Sequence, residues 1–407
     1  MTSAFSGSTP RVDDRTTSLP HRRPAGRTLE LVDALVPDAH LNAAVAGIRG
    51  LGGAGHRVLA VGPSWGAAGL WSKHAAVRAV APSIIEDPSK YAVRLRELAA
   101  GWGPLVIYPS REETIDALLA NRSAWDGVIL PFPAARVLDR VRDKARLAST
   151  AEASGIGTPE LLYSGPAHGL RSTRFWRAVV VKPARPVSRL KTARLVRNSG
   201  ELEALLEPLP DDEQLLVQER VTGPIVSVEL VLDREGDIVA RFQHVTRRTW
   251  PSAAGSIALA TSVEPDEALA YRTASMLAGI GYWGLAQVDF VETPSGYVLL
   301  DINPRFYRCL PLAIACGTNL PALWHAVTVG RPVGAPRRYR VGVTYRWLEA
   351  DFAAAARGAP QRLLDRAPRP NTGASWAAGD PLPGFLLSGQ AVIDRGLRLT
   401  GLRRHTR

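Results

Sequence analysis

The sequence predicts a mixed fold, an α/β domain followed by an α+β unit, and three observations support it. Strands alternate with helices from about residue 28 to 131, a second unit of strands and helices follows, and a hairpin with one polar face lies at residues 284–306. Alternation of strands and helices favours a parallel sheet covered on both faces. With 407 residues the chain is long enough for two to four packed domains or subdomains.

The first domain carries the alternation. Residues 1–27 are rich in Ser, Thr, Pro and Arg without hydrophobic periodicity, so we expect a disordered leader there. Strands are expected at residues 29–35, 57–61, 75–80, 104–108 and 127–131, and helices at 43–55, 87–100 and 112–119. These elements predict an α/β domain over residues 28–135.

The second unit begins with an expected helix over residues 137–153. Strands are expected at residues 175–183, 214–221, 225–232 and 238–245, the last two as a hairpin, and helices at 199–206, 266–278 and, for the most part, 310–329. Ser199 is the expected N-cap of its helix. The domain boundaries that follow are 136–220, 221–332 and, for a short C-terminal appendage, 333–407.

The polar-faced hairpin predicts a magnesium site. Strand side chains alternate, so Gln287 and Asp289 share one face of the first strand. Asp301 and Asn303 likewise share one face of the second strand, and the turn at residues 293–296 sets Asp301 opposite Asp289 within one residue of register. Two carboxylates this close repel unless a cation lies between them, and oxygen-only ligands suit Mg²⁺. The alternative is a solvated face with two surface acids.

Composition narrows the class of protein. The net charge of +12 is compatible with nucleic-acid binding. However, the arginines are scattered among acidic residues, and no zinc, RNA-binding or helix-turn-helix pattern accompanies them. No apolar run reaches the roughly 18 residues needed to span a membrane, and no signal-peptide stretch opens the chain, so we expect a cytoplasmic protein. Cys309 and Cys316 are spaced too widely along a helix for a disulfide, and burial is expected for both.

Three other segments are candidates, each with an ordinary alternative. Lys182 ends an apolar strand, where its ammonium either meets a nucleotide phosphate or reaches water beyond the strand end. Lys144 lies on an expected amphipathic helix, where a lysine is normally solvated. The strand end at residues 218–221 precedes Gly223 and is a candidate hinge whose backbone groups suit an adenine edge.

Two further positions favour structural roles. Ser110 and Glu113 follow an expected strand at the carboxyl edge of the sheet, where ligands bind in open α/β folds. A helix capping box explains them better than a substrate contact. His244 lies on a strand leading into the predicted site region, and we expect it to be structural.

The order of these motifs resembles that of the ATP-grasp superfamily. Asp-Lys at 143–144, Val-Val-Lys-Pro at 180–183, the hinge at 217–223, Gln-Val-Asp-Phe at 287–290 and Asp-Ile-Asn-Pro-Arg-Phe at 301–306 follow one another. The resemblance covers about residues 28–330. Within the superfamily the chain looks most like the bacterial carboxylate-amine ligase branch, whose members share a loop resembling Arg247-Arg248-Thr-Trp250-Pro251.

The resemblance implies an ATP-grasp fold with an N-terminal Rossmann-like pre-ATP-grasp domain, a mobile lid subdomain, a C-terminal ATP-grasp subdomain and the appendage. It implies ATP and Mg²⁺ as cofactors, with Mn²⁺ as an alternative to Mg²⁺. The implied roles are metal ligation by Asp289, Asp301 and Asn303, phosphate binding by Lys144 and Lys182, adenine binding by Gln218, Glu219 and Val221, and catalytic contacts by Arg305 and Arg248.

The segment after Lys182 departs from the family pattern. A glycine-rich lid would close its backbone over the phosphates, whereas residues 183–191 read Pro-Ala-Arg-Pro-Val-Ser-Arg-Leu-Lys. We expect side-chain donors to replace backbone donors there, namely Arg185, Ser188, Arg189 and Lys191. Tyr307-Arg308-Cys309 also departs from the pattern, so the substrate is not carried over from the family.

The implied reaction is ATP-dependent ligation of a small carboxylic acid, such as an amino acid, to an amine through an acyl phosphate. The expected partners are small molecules, with no membrane or nucleic acid involved and a homodimer left open. The alternatives are a carboxylase or a kinase on the same fold, a nucleotide-binding protein without turnover, and a nucleic-acid binder driven by charge.

Overall fold

The computed structural model describes residues 31–103, 105–120, 122–125, 127–184, 188–190, 192–251, 255–359, 361–364 and 371–399. The predicted leader at residues 1–27 lies outside these ranges and stays a prediction. No single described helix is long and apolar enough to cross a membrane; one consecutive pair, Leu310–Cys316 and Leu320–Thr328, passes on length and composition together but is bent by 96°.

The N-terminal domain is built on a parallel sheet. Its strands are β1 (Ala34–Val36), β2 (Val58–Gly62), β3 (Val77–Val80), β4 (Leu105–Ile107) and β5 (Val128–Ile129), and its helices are α1 (Asn42–Gly53), α2 (Pro88–Trp102) and α3 (Glu112–Ala120). The described strands lie in the order β3-β2-β1-β4-β5, the arrangement of a doubly wound Rossmann-like domain. The predicted α/β fold of this region is confirmed. The first strand begins at Ala34, later than expected, and residues 29 and 30 of the expected strand lie outside the described ranges.

The predicted helix over residues 137–153 is wrong in one respect, since the structure has two helices there. They are α4 (Ala135–Arg142) and α5 (Lys144–Glu152). Asp143 between them has an extended backbone, and its carboxylate accepts a hydrogen bond from the Arg146 amide at 3.2 Å. An Asp at this position caps the second helix and ends the first.

A second sheet lies within residues 136–220, the segment predicted to be the lid subdomain. Its strands are β6 (Leu161–Pro166), β7 (Val179–Pro183), β8 (Arg194–Val196) and β9 (Gln214–Glu219), antiparallel in the order β6-β9-β7-β8 among the described residues. Helix α6 (Ser199–Leu206) covers it. Its N-cap is Asn198, whose side chain accepts from the Glu201 amide, so the prediction of Ser199 as the cap is wrong by one residue.

The third sheet carries the polar hairpin. Its strands are β10 (Ile225–Leu232), β11 (Ile238–Trp250), β12 (Ser256–Ser262), β13 (Gly284–Thr293), β14 (Gly296–Asn303), β15 (Thr344–Arg346) and β16 (Asn371–Gly373). The described strands lie in the order β14-β13-β10-β11-β12-β15-β16. Strands β15 and β16 come from the predicted appendage, so part of that segment extends this sheet. The domain boundaries themselves stay a prediction.

Helices of this region cover the sheet and continue into the appendage. They are α7 (Glu267–Gly279), α8 (Leu310–Cys316), α9 (Leu320–Thr328), α10 (Leu348–Ala355), α11 (Gln361–Leu364) and α12 (Leu382–Leu399). The predicted helical stretch 310–329 divides into α8 and α9 at Gly317, whose φ of +104° suits a glycine after a helix end. Strand alternation predicts one buried face made of Val288, Phe290, Leu300 and Ile302. Val288, Phe290 and Ile302 are buried, but Leu300 is half-buried, because the register shifts between Asp289 and Phe290 and sets Leu299 opposite Phe290.

Candidate functional site

The predicted metal hairpin has the predicted register. Asp289 on β13 lies directly opposite Asp301 on β14, and Gln287 lies opposite Asn303. Opposite residues of an antiparallel pair point to the same face, so the two carboxylates and the Asn303 amide share one face of the sheet. These groups are all oxygen donors and fit Mg²⁺.

Strand β10 extends the polar face on the other side of β13. Ser227 is opposite Asp289 in the register, and its hydroxyl donates a hydrogen bond to Asp289 Oδ1 at 2.6 Å. Burial raises the pKa of Asp289 to about 6, Ser227 opposes the shift and Asp301 adds to it. A carboxylate with a raised pKa beside a second carboxylate is short of positive charge, which a divalent cation would supply.

Arg305 lies at the end of the hairpin and bridges two domains. Its Nη2 donates to Asn303 Oδ1 at 2.8 Å and its Nε donates to Glu112 Oε1 at 2.6 Å. Glu112 opens helix α3 and also accepts from Arg142 Nε at 2.7 Å. The predicted catalytic arginine is therefore held by a carboxylate of the N-terminal domain. From the sequence, Glu112 is predicted only as the first residue of a helix.

The lid sheet reaches the hairpin through Lys182. This lysine is buried at the end of β7, and its ammonium donates to the Leu300 carbonyl on β14 at 3.2 Å. Leu300 immediately precedes Asp301. The structure therefore brings the predicted phosphate-binding lysine to the strand that carries a predicted metal ligand.

The predicted adenine hinge lies at the end of β9. Gln218 is buried and its side-chain oxygen has no hydrogen-bond partner within the described ranges. Glu219 accepts from the Glu160 amide at 3.2 Å, and Val221 lies half-buried beyond the strand. An unsatisfied buried amide oxygen at a strand end is compatible with an exocyclic amine of a ligand.

The structure brings none of the other residues predicted to bind phosphate into a described contact with the hairpin. Ser188 donates to Glu213 Oε1 at 2.5 Å, and Arg189 is exposed. Lys144 opens helix α5, but its side chain lies outside the described part of the structure, as do Arg185 and Lys191.

Arg248 points into the appendage. Its Nη2 lies 2.5 Å from Asp351 Oδ1 on α10, and Asp351 also accepts from Arg346 Nε at 2.6 Å. Asp351 is only 1% exposed, so this contact is a buried ion pair. The role of Arg248 in phosphate or carboxylate binding stays a prediction.

The carboxyl edge of the N-terminal sheet is polar, but the predicted capping box is wrong. The Ser110 hydroxyl is buried and has no hydrogen-bond partner among the described residues, while Glu113 pairs with Arg111 at 3.1 Å. Asp38, at a φ of +57°, accepts from the Thr114 hydroxyl at 2.7 Å, and burial raises its pKa. Ligands bind at this edge of open α/β sheets.

A buried group that sequence reasoning missed lies next to the hairpin. Glu229 is two residues from Ser227 on β10 and therefore shares its face, opposite Gln287. His244, expected to be structural, is fully buried on β11 with Nδ1 at 3.3 Å from Glu229 Oε1. Cys309 is buried as predicted, and the Gln287 amide donates to its Sγ at 3.0 Å. The alternation of β10 was the signal that could have found Glu229.

Comparison with known proteins gives a family model and a shared fold. Residues 211–350 match the model described as ATP-grasp in the biosynthetic pathway with Ter operon. A similar structure is the biotin carboxylase domain of Hydrogenobacter thermophilus 2-oxoglutarate carboxylase with MgADP, ADP and bicarbonate. It has a TM-score of 0.58 and 15% identity over 77% of this chain and 74% of that one.

Two other solved structures agree. Biotin carboxylase from Campylobacter jejuni in an ATP complex has a TM-score of 0.59 and 13% identity over 77% of this chain and 74% of that one. N5-carboxyaminoimidazole ribonucleotide synthetase from Thermus thermophilus has a TM-score of 0.54 and 18% identity over 75% of this chain and 81% of that one. Part of the chain, residues 211–350, thus matches an ATP-grasp family model, and the described chain shares its fold with these solved structures.

Proposed function

We propose that the protein is an ATP-dependent carboxylate-amine ligase of the cytoplasm that joins a small carboxylic acid to an amine. The observation that carries the proposal is the pairing of Asp289 with Asp301. Asn303 lies on the same strand as Asp301, and Arg305 and Lys182 both donate hydrogen bonds to residues of that strand. A magnesium nucleotide needs oxygen ligands for its metal and cations for its phosphates, and these groups offer both.

The hairpin would hold Mg²⁺ through Asp289, Asp301 and Asn303, and the metal would neutralise phosphate charge when bound. Lys182, which already reaches β14, would bind a phosphate oxygen. Arg305 would stabilise charge that develops at the acyl group, because Glu112 and Asn303 fix its guanidinium in place. Catalysis is then largely positioning plus electrostatics.

The proposed chemistry balances in two steps. A carboxylate oxygen of the acid attacks the γ-phosphorus of ATP, the bond to the β-phosphate oxygen breaks, and ADP leaves. The neutral amine then attacks the carbonyl carbon of the acyl phosphate, inorganic phosphate leaves with the electron pair of the C–O bond, and the amine loses a proton. Activation is needed because a free carboxylate has no workable leaving group.

A carboxylase is the second candidate. Two of the similar structures are biotin carboxylases, one of them with bicarbonate bound, and they share the fold of this chain. A carboxylase would use bicarbonate as the acid and would release phosphate without an added organic acid. One similar structure is a domain dimer, so we include a homodimer in the proposal.

The test measures phosphate release from ATP and Mg²⁺ with pools of acids and amines, with hydroxylamine added to trap an acyl phosphate. We expect release only with a matching acid and amine, and loss of release in Asp301→Asn. Asp237→Asn, an exposed acid in the β10–β11 turn, is the matched control and should act like the wild type. Turnover with bicarbonate alone would favour the carboxylase. Nucleotide binding without turnover in any pool would contradict the ligase.

A further inference from the structure

The residues Glu229, His244 and Cys309 form a cluster that the ligase mechanism does not use. One donor atom from each lies within 4.8 Å of the others, and all three side chains are buried. They come from β10, from β11 and from the residue that precedes helix α8. The chain thus brings a carboxylate, an imidazole and a thiol together next to the polar hairpin.

The protein satisfies the polar atoms of this cluster only in part: the Gln287 amide donates to Cys309 Sγ, and His244 Nδ1 lies 3.3 Å from Glu229 Oε1. Within the part of the chain that the structure describes, Glu229 Oε2 and both ring nitrogens of His244 have no hydrogen-bond partner. Buried polar atoms are almost always paired, since an unpaired one costs about 1–3 kcal/mol. Unpaired atoms on both Glu229 and His244 point to a group that the protein alone does not provide.

The separations decide which kind of group fits. Glu229 Oε1 lies 3.3 Å from His244 Nδ1 and 3.8 Å from Cys309 Sγ. Tetrahedral zinc ligands at ordinary bond lengths are about 3.4 Å apart for nitrogen and oxygen and about 3.6 Å apart for sulfur and oxygen. The ammonium of an amine substrate would need acceptors about 4.6 Å apart at normal hydrogen-bond lengths. The two separations from Glu229 Oε1 therefore fit a single metal ion, with all the donor atoms within 4.8 Å of one another.

We infer that Glu229, His244 and Cys309 bind a transition-metal ion of the zinc class, at a site separate from the Mg²⁺ hairpin. Thiolate and imidazole ligands select such an ion over Mg²⁺, which takes oxygen ligands. Binding releases the Cys309 proton, because the metal-bound sulfur is a thiolate. The Gln287 amide on β13 donates a hydrogen bond to Cys309 Sγ and so holds this ligand in position.

The test uses the full-length protein, freed of metal with a chelator and then titrated with Co²⁺, whose bond to a thiolate gives a charge-transfer absorption band. The chain has two cysteines, so in Cys316→Ser any such band must come from Cys309. We expect the band at one Co²⁺ per chain in the wild type, in Cys316→Ser and in Asp301→Asn, and its loss in Cys309→Ser. His244→Ala should weaken Co²⁺ binding at least tenfold, and Zn²⁺ should displace Co²⁺.

Several outcomes would overturn the inference. Absence of the band in Cys316→Ser, in which all three cluster residues are unchanged, would contradict the inference. This result does not depend on whether Cys309→Ser folds. Loss of the band in Asp301→Asn would show that the thiolate site is not separate from the Mg²⁺ hairpin. Failure of the ligase assay would leave this measurement unaffected, because it requires neither ATP nor substrate.

Discussion

The side chain of Arg305 donates to the carboxylate of Glu112 at 2.6 Å, although the two residues are 193 positions apart and belong to different domains. The backbone reinforces the contact, since the Phe306 amide donates to the Pro109 carbonyl at 3.0 Å. The hairpin is thereby connected to the carboxyl edge of the N-terminal sheet. This is the edge at which an α/β domain presents a substrate.

Glu112→Gln should lower kcat by about 10- to 100-fold with little change in the KM for ATP, because Arg305 would lose its fixed position while the nucleotide site stays intact. Steady-state kinetics with the matching substrates measures both constants. Glu97→Gln, an exposed helix residue, is the control and should leave them unchanged. A loss in Glu112→Gln confined to the KM for ATP would contradict a positioning role.

Lys182→Met should weaken nucleotide binding by about 10- to 100-fold, since a charge-assisted hydrogen bond to a phosphate contributes about 1.5–3 kcal/mol. The side chain keeps its apolar stem, which preserves packing at the end of β7. Calorimetric titration with MgADP measures the affinity. Lys73→Met, at an exposed position, should bind as the wild type does. Equal affinities for the two variants would show that Lys182 binds no phosphate.

Asp289 should make the stability of the metal-free protein depend on pH. Burial raises its pKa to about 6, against about 3.9 in an unfolded chain, so the folded state holds the proton more tightly. The contribution to stability is fully present below about pH 4 and is lost as the pH rises through 6. Between pH 4 and 7 this loss is at most about 3 kcal/mol.

Urea unfolding of the wild type and of Asp289→Asn in EDTA measures this effect as a difference between the two proteins. We expect the wild type to lose stability relative to Asp289→Asn as the pH rises, and Mg²⁺ at pH 7 to restore it. Asp237→Asn, which removes an exposed carboxyl, should keep the wild-type profile. A pH-independent difference between wild type and Asp289→Asn would refute the raised pKa.

Asp351→Asn should lower the free energy of unfolding by about 3 kcal/mol, because it leaves Arg248 and Arg346 without the buried carboxylate that both contact. Urea unfolding at neutral pH measures the change, again with Asp237→Asn for comparison. A change below about 0.5 kcal/mol would mean that the appendage is not held by this ion pair.

The metal hairpin could be predicted from the sequence because its determinants are local. Strand alternation and one short turn are enough to set Asp289 opposite Asp301, and the structure has that register. The same alternation predicted the burial of Val288, Phe290 and Ile302. Errors came at element ends, where single residues decide: Asp143 divides one expected helix, and Asn198 replaces Ser199 as a cap.

The remaining parts of the site depend on contacts between distant segments. The sequence around Glu112 does not predict Arg305 as its partner, because no local pattern indicates how the two domains pack against each other. Glu229 and His244 lie on β10 and β11, the two strands of a hairpin that the sequence predicts, but the pairing of β10 with β13, which sets Glu229 opposite Gln287, follows from no local pattern. Cys309 joins them from a third segment, so the cluster became visible only with the sheet assembled.

The central claim is that the Asp289–Asp301 hairpin holds the metal of a magnesium nucleotide, and calorimetric titration of MgADP into wild type, Asp301→Asn and Asp237→Asn tests it without knowledge of the substrates. We predict saturable 1:1 binding to the wild type and to Asp237→Asn, with at least tenfold weaker binding to Asp301→Asn. Equal MgADP affinity in all three proteins would contradict the account.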